Sequence, residues 1–264
     1  MKIIEVTKDN VAELGFFCCM SKRKTEGYQR KFRWLQDRFD EGMRIKMLDL
    51  KHGGRGFIEY VPGEHAWRAV NAEGFMFIHC VWIVGQSRGK GYATMLLNEC
   101  TKDAKESGMK GVAALTSERN WLLDKKLFLK HCFESVAEYP PFNLMVKKFD
   151  KATSSPSFSG DFDDRLKRCG RGLTVFRSDQ CPYLDNAVKV TLGTAEKLGV
   201  KAKVVELKNA EDVRKLAPSP YGVFSIVYDG KLVDYRFPDK DALAKSLKIG
   251  EKPGGTAPKK RRER

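Results

Sequence analysis

The sequence predicts an α/β (α+β) protein built as two domains, and three observations predict it. At 264 residues the chain exceeds the roughly 100–200 residues of a usual domain. Extended apolar runs alternate with segments whose apolar residues recur at helical spacing, which argues for helices packed on a sheet. The stretch Lys151–Gly160, KATSSPSFSG, breaks the patterning with Ser, Pro and Gly, as a linker does. The expected division is a first domain over 1–150, a linker over 151–171, a second domain over 172–249 and a disordered basic tail over 250–264.

The elements of the first domain follow in order. Lys2–Val6 reads as a short strand. Tyr28, Phe32, Leu35 and Phe39 share one helical face, so Tyr28–Phe39 is a helix. Met43–Leu50 and Gly56–Val61 form a hairpin across the KHGG turn at 51–54. Gly74–Gly85 is apolar nearly throughout, the mark of a strand buried on both faces. Arg88–Ser107 is a helix that Gly108 ends. A strand at Gly111–Thr116, a helix at Leu122–His131 and strands at Glu134–Tyr139 and Asn143–Phe149 complete the domain.

The second domain has a regular order. Strand Leu173–Arg177 leads into helix Tyr183–Leu198, strand Ala202–Leu207 and short helix Asp212–Ala217. Gly222–Tyr228 and Leu232–Phe237 make a hairpin across Asp229-Gly230, a strong two-residue turn signal. Asp239–Leu247 closes as a helix.

Composition excludes several classes. Hydrophobic residues make up 42% of the chain, too many for a disordered protein. The apolar run Gly74–Gly85 is shorter than the ~20 residues a spanning helix needs, so no membrane association is expected. Glu5, Lys8 and Asp9 stand where a signal peptide would be apolar, which points to the cytoplasm. The seven cysteines are odd in number and have no C-x-x-C pair, so free thiols and no metal are expected. The net charge of +15 is spread over both domains. It permits nucleic-acid association without favouring it over an ordinary solvated basic surface.

The chemistry concentrates in CVWIVGQSRGKGYATMLL, Cys80–Leu97. A buried strand runs into a glycine-rich loop that opens a helix. Backbone N–H groups of such a loop converge on an anion, and the helix dipole and Arg88 and Lys90 add positive charge. A diphosphate suits it. The P-loop pattern fails, because the glycines are one residue too close and Gly91 follows Lys90 in place of Ser or Thr. The dinucleotide pattern fails, because Thr94 occupies the third glycine position.

Arg88-Gly89-Lys90-Gly91-Tyr92-Ala93 instead resembles the [QR]-x-x-G-x-[GA] signature of the GNAT N-acetyltransferase superfamily, and the likeness runs over about residues 1–150. The resemblance implies an acyl-CoA-binding fold with a mixed, splayed sheet and acetyl-CoA as co-substrate. It implies that Arg88, Gly89, Lys90, Gly91, Tyr92 and Ala93 wrap the pyrophosphate and that Val81, Trp82 and Ile83 bind the pantetheine arm. The Ile83 N–H would polarise the thioester carbonyl, and Asn120 would contact CoA. The acceptor would be a small-molecule or peptide amine, which needs a base. His79 on the motif strand and Glu73 just before it are the candidates. Many relatives place a Tyr acid before a Gly-Phe pair. Here Phe128 holds the Tyr position and Cys132-Phe133 replace Gly-Phe.

LTVFRSDQCPYLDNAV, Leu173–Val188, resembles glutaredoxin, and the element order resembles a thioredoxin-like domain. The pairing of the two domains resembles the YoaP-type architecture. Cys181 is the redox candidate. A thiol at a helix N-terminus has a lowered pKa, although Leu184 stands where dithiol relatives carry a second Cys. Pro218 and Pro220 are candidates for the cis-proline of such domains. The reading is an N-acetyltransferase with an accessory domain. The alternatives are a thiol-based redox or sensor protein that binds CoA, and a basic nucleic-acid-associated protein.

Overall fold

The computed structural model describes residues 2–49, 55–117 and 122–249. The KHGG turn, Asn120 and the tail 250–264 lie outside the described residues. The first half carries β1 (Lys2–Val6), α1 (Val11–Leu14), α2 (Glu26–Asp40), β2 (Arg44–Asp49), β3 (Arg55–Pro62), β4 (Val70–Asn71) and β5 (Phe75–Ile83). It continues with α3 (Tyr92–Glu106), β6 (Gly111–Ser117), α4 (Lys125–Lys130), β7 (Glu134–Tyr139) and β8 (Phe142–Lys148). Among the described residues, seven of these strands form one mixed sheet in the order β1-β2-β3-β5-β6-β8-β7.

Alternation along the strands divides the core between two faces. Ile58, Met76, Ile78, Val112 and Ala114 pack with Leu96, Leu97, Cys100 and Ala104 of α3. Phe57, Val61, Phe75 and Phe77 pack on the opposite face with Tyr28, Trp34 and Leu35 of α2. Helix α3 is fastened to the sheet by Asp103, which accepts from Lys46 Nζ at 2.8 Å and Tyr60 Oη at 2.5 Å. Its first residue is Tyr92 and not Arg88, because Gly91 sits at φ 77°, a left-handed conformation that a helix interior does not contain. Helix α4 is shorter than Leu122–His131. Asp124 caps it by accepting the Lys126 N–H at 2.8 Å, and Cys132 at φ 60° ends it.

The expected linker is structured. β9 (Ser157–Phe158) pairs antiparallel with β4, and α5 (Phe162–Arg168) follows. The reason is local: Phe158 and Phe162 are apolar residues inside the polar stretch, and they pack on one another with Tyr139. The second half then runs β10 (Leu173–Arg177), α6 (Leu184–Lys197), β11 (Ala202–Glu206), α7 (Ala210–Leu216), β12 (Phe224–Tyr228), β13 (Lys231–Asp234) and α8 (Lys240–Ile249). Its sheet order is β11-β10-β12-β13. The pair β10–β11 is parallel and the rest is antiparallel.

The halves share one hydrophobic core, continuous from α2 and β3 to α6 and β12. Polar contacts reinforce it. Arg30 reaches Asp179 at 2.7 Å and Glu206 at 2.9 Å, and Ser117 bonds Tyr235 at 2.5 Å. Gly27 of α2 lies so close to the Pro182 carbonyl that a Cβ there would collide with it. The cis X-Pro bond found among the described residues is Pro140-Pro141, so neither Pro218 nor Pro220 is cis.

Candidate active site

The sheet opens where the motif strand needs it open. β5 and β6 pair in parallel from Phe75–Gly111 to Ile78–Ala114 and then part. Beyond that point β5 continues to Ile83 paired only with β3, while β6 continues to Ser117 paired with β8. The edge of β5 from His79 to Ile83 is thereby left facing the gap.

A β-bulge marks the same place. Tyr60 pairs with Ile78 and Glu59 with Cys80, so His79 is an extra residue on β5. A bulge breaks the strict alternation of sides. Cys80 packs with the α2-side core, and Val81 with the α3-side core. His79 and Cys80 both line the cavity, as do Ile78, Val81 and Trp82. The loss of alternation left no trace in the local sequence. The bulge also frees the His79 carbonyl from the ladder, and Arg68 Nη2 donates to it at 2.6 Å.

The gap widens into a cavity of about 850 Å³ between the two halves. The first half contributes the loop Phe16–Ser21, Lys31, Glu59, Arg68 and His79–Trp82. The second half contributes Gln180–Tyr183, Tyr221, Val223 and Phe237. The loop is held in a rare backbone conformation, with Phe17 at φ 81° and Cys19 at φ 54°, of the kind that persists at functional sites.

A buried polar network forms the floor. Glu59 Oε2 accepts from Lys31 Nζ at 2.6 Å, with both side chains only 4% exposed. Glu59 Oε1 accepts from Gln180 Nε2 at 3.2 Å and lies 3.3 Å from His79 Nδ1. Burial works against the Glu59 carboxylate, but Lys31 and His79 outweigh it and hold its pKa down at about 2. Sequence reasoning passed over this group. The signals were a lone carboxylate in the apolar run Gly56–Val61 and a lysine on the buried side of α2.

Of the two candidate bases, His79 lines the cavity and Glu73 does not. His79 Nε2 accepts the Trp67 N–H at 2.9 Å, so the ring proton sits on Nδ1 toward Glu59 and no lone pair is left for a substrate. Burial, with Arg68 nearby, pushes the His79 pKa down to about 4. Glu73 is exposed in the turn before β5, and it is not among the residues that line the cavity. Phe128 is buried, stacked edge-on against Phe133 at 5.1 Å, and it supplies the cavity with ring surface and no hydroxyl.

The motif loop has the geometry of an anion cradle. Gly85, Gly89 and Gly91 have φ values of 44°, 77° and 77°. A Cβ built at any of them would meet nothing within 4 Å. Helix α3 has no side-chain cap and no acidic residue in its first turn, so its leading N–H groups are open to a ligand. Arg88 folds back, donating from Nε to the Ile83 carbonyl at 3.2 Å. Its guanidinium lies 5.3 Å from the ring of Trp82, which is 42% exposed. These residues fit a pyrophosphate and an extended pantetheine arm.

Cys181 also lines the cavity. Helix α6 begins at Leu184, so the thiol stands ahead of the helix terminus. It does accept a hydrogen bond from the Tyr183 N–H, but burial prevails and raises its pKa to about 11. Burial likewise raises Cys80 to about 12. Among the described residues no group of His, Cys, Asp and Glu could hold a metal, and no helix is long and apolar enough to cross a membrane.

Known proteins resemble this chain over part or most of its length. Residues 7–122 match the profile of the Acetyltransferase (GNAT) family. Over 252 residues the chain is 31% identical to a Bacillus subtilis (strain 168) protein described as uncharacterized N-acetyltransferase YoaP, covering 94% of this chain and 98% of that one. Among solved structures, a ribosomal-protein-alanine N-acetyltransferase from Brucella melitensis is 17% identical, covering 56% of this chain and 100% of that one at a TM-score of 0.42. An aminoglycoside 6'-acetyltransferase type Ii is 18% identical, covering 58% and 100% at a TM-score of 0.40. The chain belongs to the GNAT family of acetyltransferases, and is an acyltransferase that takes its acetyl group from acetyl-CoA.

Proposed function

We propose that the chain moves an acetyl group from acetyl-CoA to an amine held in the cavity between its two halves. The observation that carries this reading is the parting of β5 from β6 after Ile78 and Ala114, at the wall of a cavity that both halves line. The loop Arg88–Ala93 would take the pyrophosphate on its backbone N–H groups, with Arg88 and Lys90 beside it. The exposed edge of Val81, Trp82 and Ile83 would hold the pantetheine arm, and the Ile83 N–H would polarise the thioester carbonyl.

The second half is an accessory domain of thioredoxin-like order. The succession β10-α6-β11-α7-β12-β13-α8 and its sheet order support that reading. Its role is to wall the acceptor site. A half-buried Cys181 with a raised pKa is a poor exchanging thiol, which weighs against the redox alternative.

The amine must attack unprotonated. The lone pair of His79 is taken and Glu59 is bound to Lys31, so the acceptor's own ammonium is the group that titrates. The rising limb of the rate against pH should follow the pKa of the amine supplied.

The test is CoA binding and thiol release. CoA at 100 times its Kd should add about 2.7 kcal/mol of stability. Gly91→Asp sets a carboxylate where the pyrophosphate approaches and should remove that shift. An undiminished shift in folded Gly91→Asp protein, or no acetyl-CoA-dependent thiol release with any amine, refutes the proposal.

A further inference from the structure

The charges of the cavity do not balance. Lys31 and Glu59 neutralise one another at 2.6 Å. His79 is neutral, and burial keeps the thiols of Cys80 and Cys181 protonated. Two guanidinium groups remain in the lining, those of solvent-exposed Arg55 and of Arg68. Arg68 is the buried one, 2% exposed.

Its partners are all neutral. Nη1 donates to the Trp67 carbonyl at 2.7 Å and to Gln180 Oε1 at 2.6 Å. Nη2 donates to the His79 carbonyl at 2.6 Å. The guanidinium lies 5.0 Å from the Tyr221 ring. Buried Nε has no partner. The carboxylate that acts on Arg68 through space is Glu59, whose charge Lys31 already cancels.

A buried charge is normally paired, because an unpaired one forfeits its hydration without compensation. Arginine is also the side chain best shaped to receive a carboxylate, with donors to spare in a planar fork. Holding the His79 carbonyl sets this cation at the start of the splayed edge, beside the stretch where the thioester would lie. The wall also presents aromatic rings: Phe16, Phe17, Tyr183 and Phe237.

We infer that the acceptor is an amino acid or similar small amine bearing a carboxylate, and that Arg68 receives that carboxylate. The inference rests on the acetyltransferase reading of the same cavity. The carboxylate neutralises Arg68, the amine points toward the thioester, and the substrate's apolar body lies against the aromatic wall.

The full chain and acetyl-CoA are assayed by thiol release with glycine, leucine and phenylalanine. Each is set against its amide and its decarboxylated amine. The amides are the less basic amines and hold more free base at neutral pH, so they would win if protonation alone decided the rate. The expected result is at least tenfold higher kcat/KM for an acid than for its two neutral partners. Arg68→Gln should erase that preference, raising KM for the acids to that of their neutral partners. A measurement free of turnover accompanies it. N-acetylphenylalanine should raise the melting temperature of the CoA-bound protein, and N-acetylphenylalanine amide should not.

Amides or decarboxylated amines that equal the acids in every set overturn the inference, as does a preference for acids that survives in Arg68→Gln. So does the absence of both acid turnover and stabilisation by N-acetylphenylalanine. The comparisons within the unaltered protein stand even if Arg68→Gln fails to fold. Loss of CoA binding would instead strike the acetyltransferase reading, whereas thiol release with neutral amines and no advantage for acids strikes this inference alone.

Discussion

His79→Gln separates a scaffold histidine from a catalytic one. A glutamine can reproduce both contacts, its Oε1 accepting the Trp67 N–H and its amide facing Glu59, but it cannot titrate. The folded histidine has a pKa of about 4 against 6.5 for the free side chain. That difference, at about 1.36 kcal/mol per pKa unit, amounts to roughly 3 kcal/mol. The folded pKa is the lower one, so the unfolded chain binds the proton first. The stability is fully present above pH 6.5 and drains away as pH falls toward 4. Glu59, lowered from 4.5 to about 2, acts in the same direction at more acidic pH, with its share lost below about 4.5. Urea unfolding at pH 7, 6, 5 and 4.5 should show stability falling with acidity in the unaltered protein and a flatter course in His79→Gln. The variant should also keep kcat/KM within tenfold, or about 1.4 kcal/mol of transition-state stabilisation. An unchanged slope would refute the neutral, Nδ1-protonated assignment. A hundredfold loss of kcat/KM with CoA binding intact would make His79 the base.

Three further outcomes are expected. Lys31→Met strands the Glu59 carboxylate and should cost roughly 3–5 kcal/mol in urea unfolding; adding Glu59→Gln should recover part of that loss, and a single variant as stable as the parent would dismiss the pair as a structural element. Gly27→Ala drives a methyl into the Pro182 carbonyl, so the acceptor KM should rise while the CoA-induced thermal shift stays, and unchanged kinetics would show that the second half does not shape the site. Cys181, with its pKa at about 11, should react with iodoacetamide at pH 7 more slowly than exposed Cys132, and Cys181→Ser should retain acetyl transfer; faster labelling of Cys181 would restore the redox reading.

The sequence by itself determined the elements and the glycine-rich loop. Periodicity locates α2, β5, β10 and α6 because burial of one face imposes a spacing on the chain, and that spacing is written in consecutive residues. The glycines at 85, 89 and 91 are legible for the same reason. Each answers a backbone requirement of its own position, a positive φ next to open space.

The polar site was decided by tertiary structure. Glu59, Lys31, Arg68 and Gln180 stand on four separated segments, and nothing in the neighbourhood of any one of them names the others. Glu73 read as a candidate from its place before β5, yet the chain turns it to solvent. His79 read as a base because a histidine on the motif strand has a free ring nitrogen until Trp67 is brought to it. The bulge at His79 lies in the pairing of β5 with β3, a relation between strands that local periodicity does not encode. Cys181 shows the same limit: its sequence context predicts a thiolate, and the α2 side of the first half buries it. A lowered pKa needs a nearby charge or open dipole, and the Tyr183 N–H and Lys31 supply both, but burial outweighs them. The surface that packs there includes Gly27 of α2, against the Pro182 carbonyl and far away in the chain.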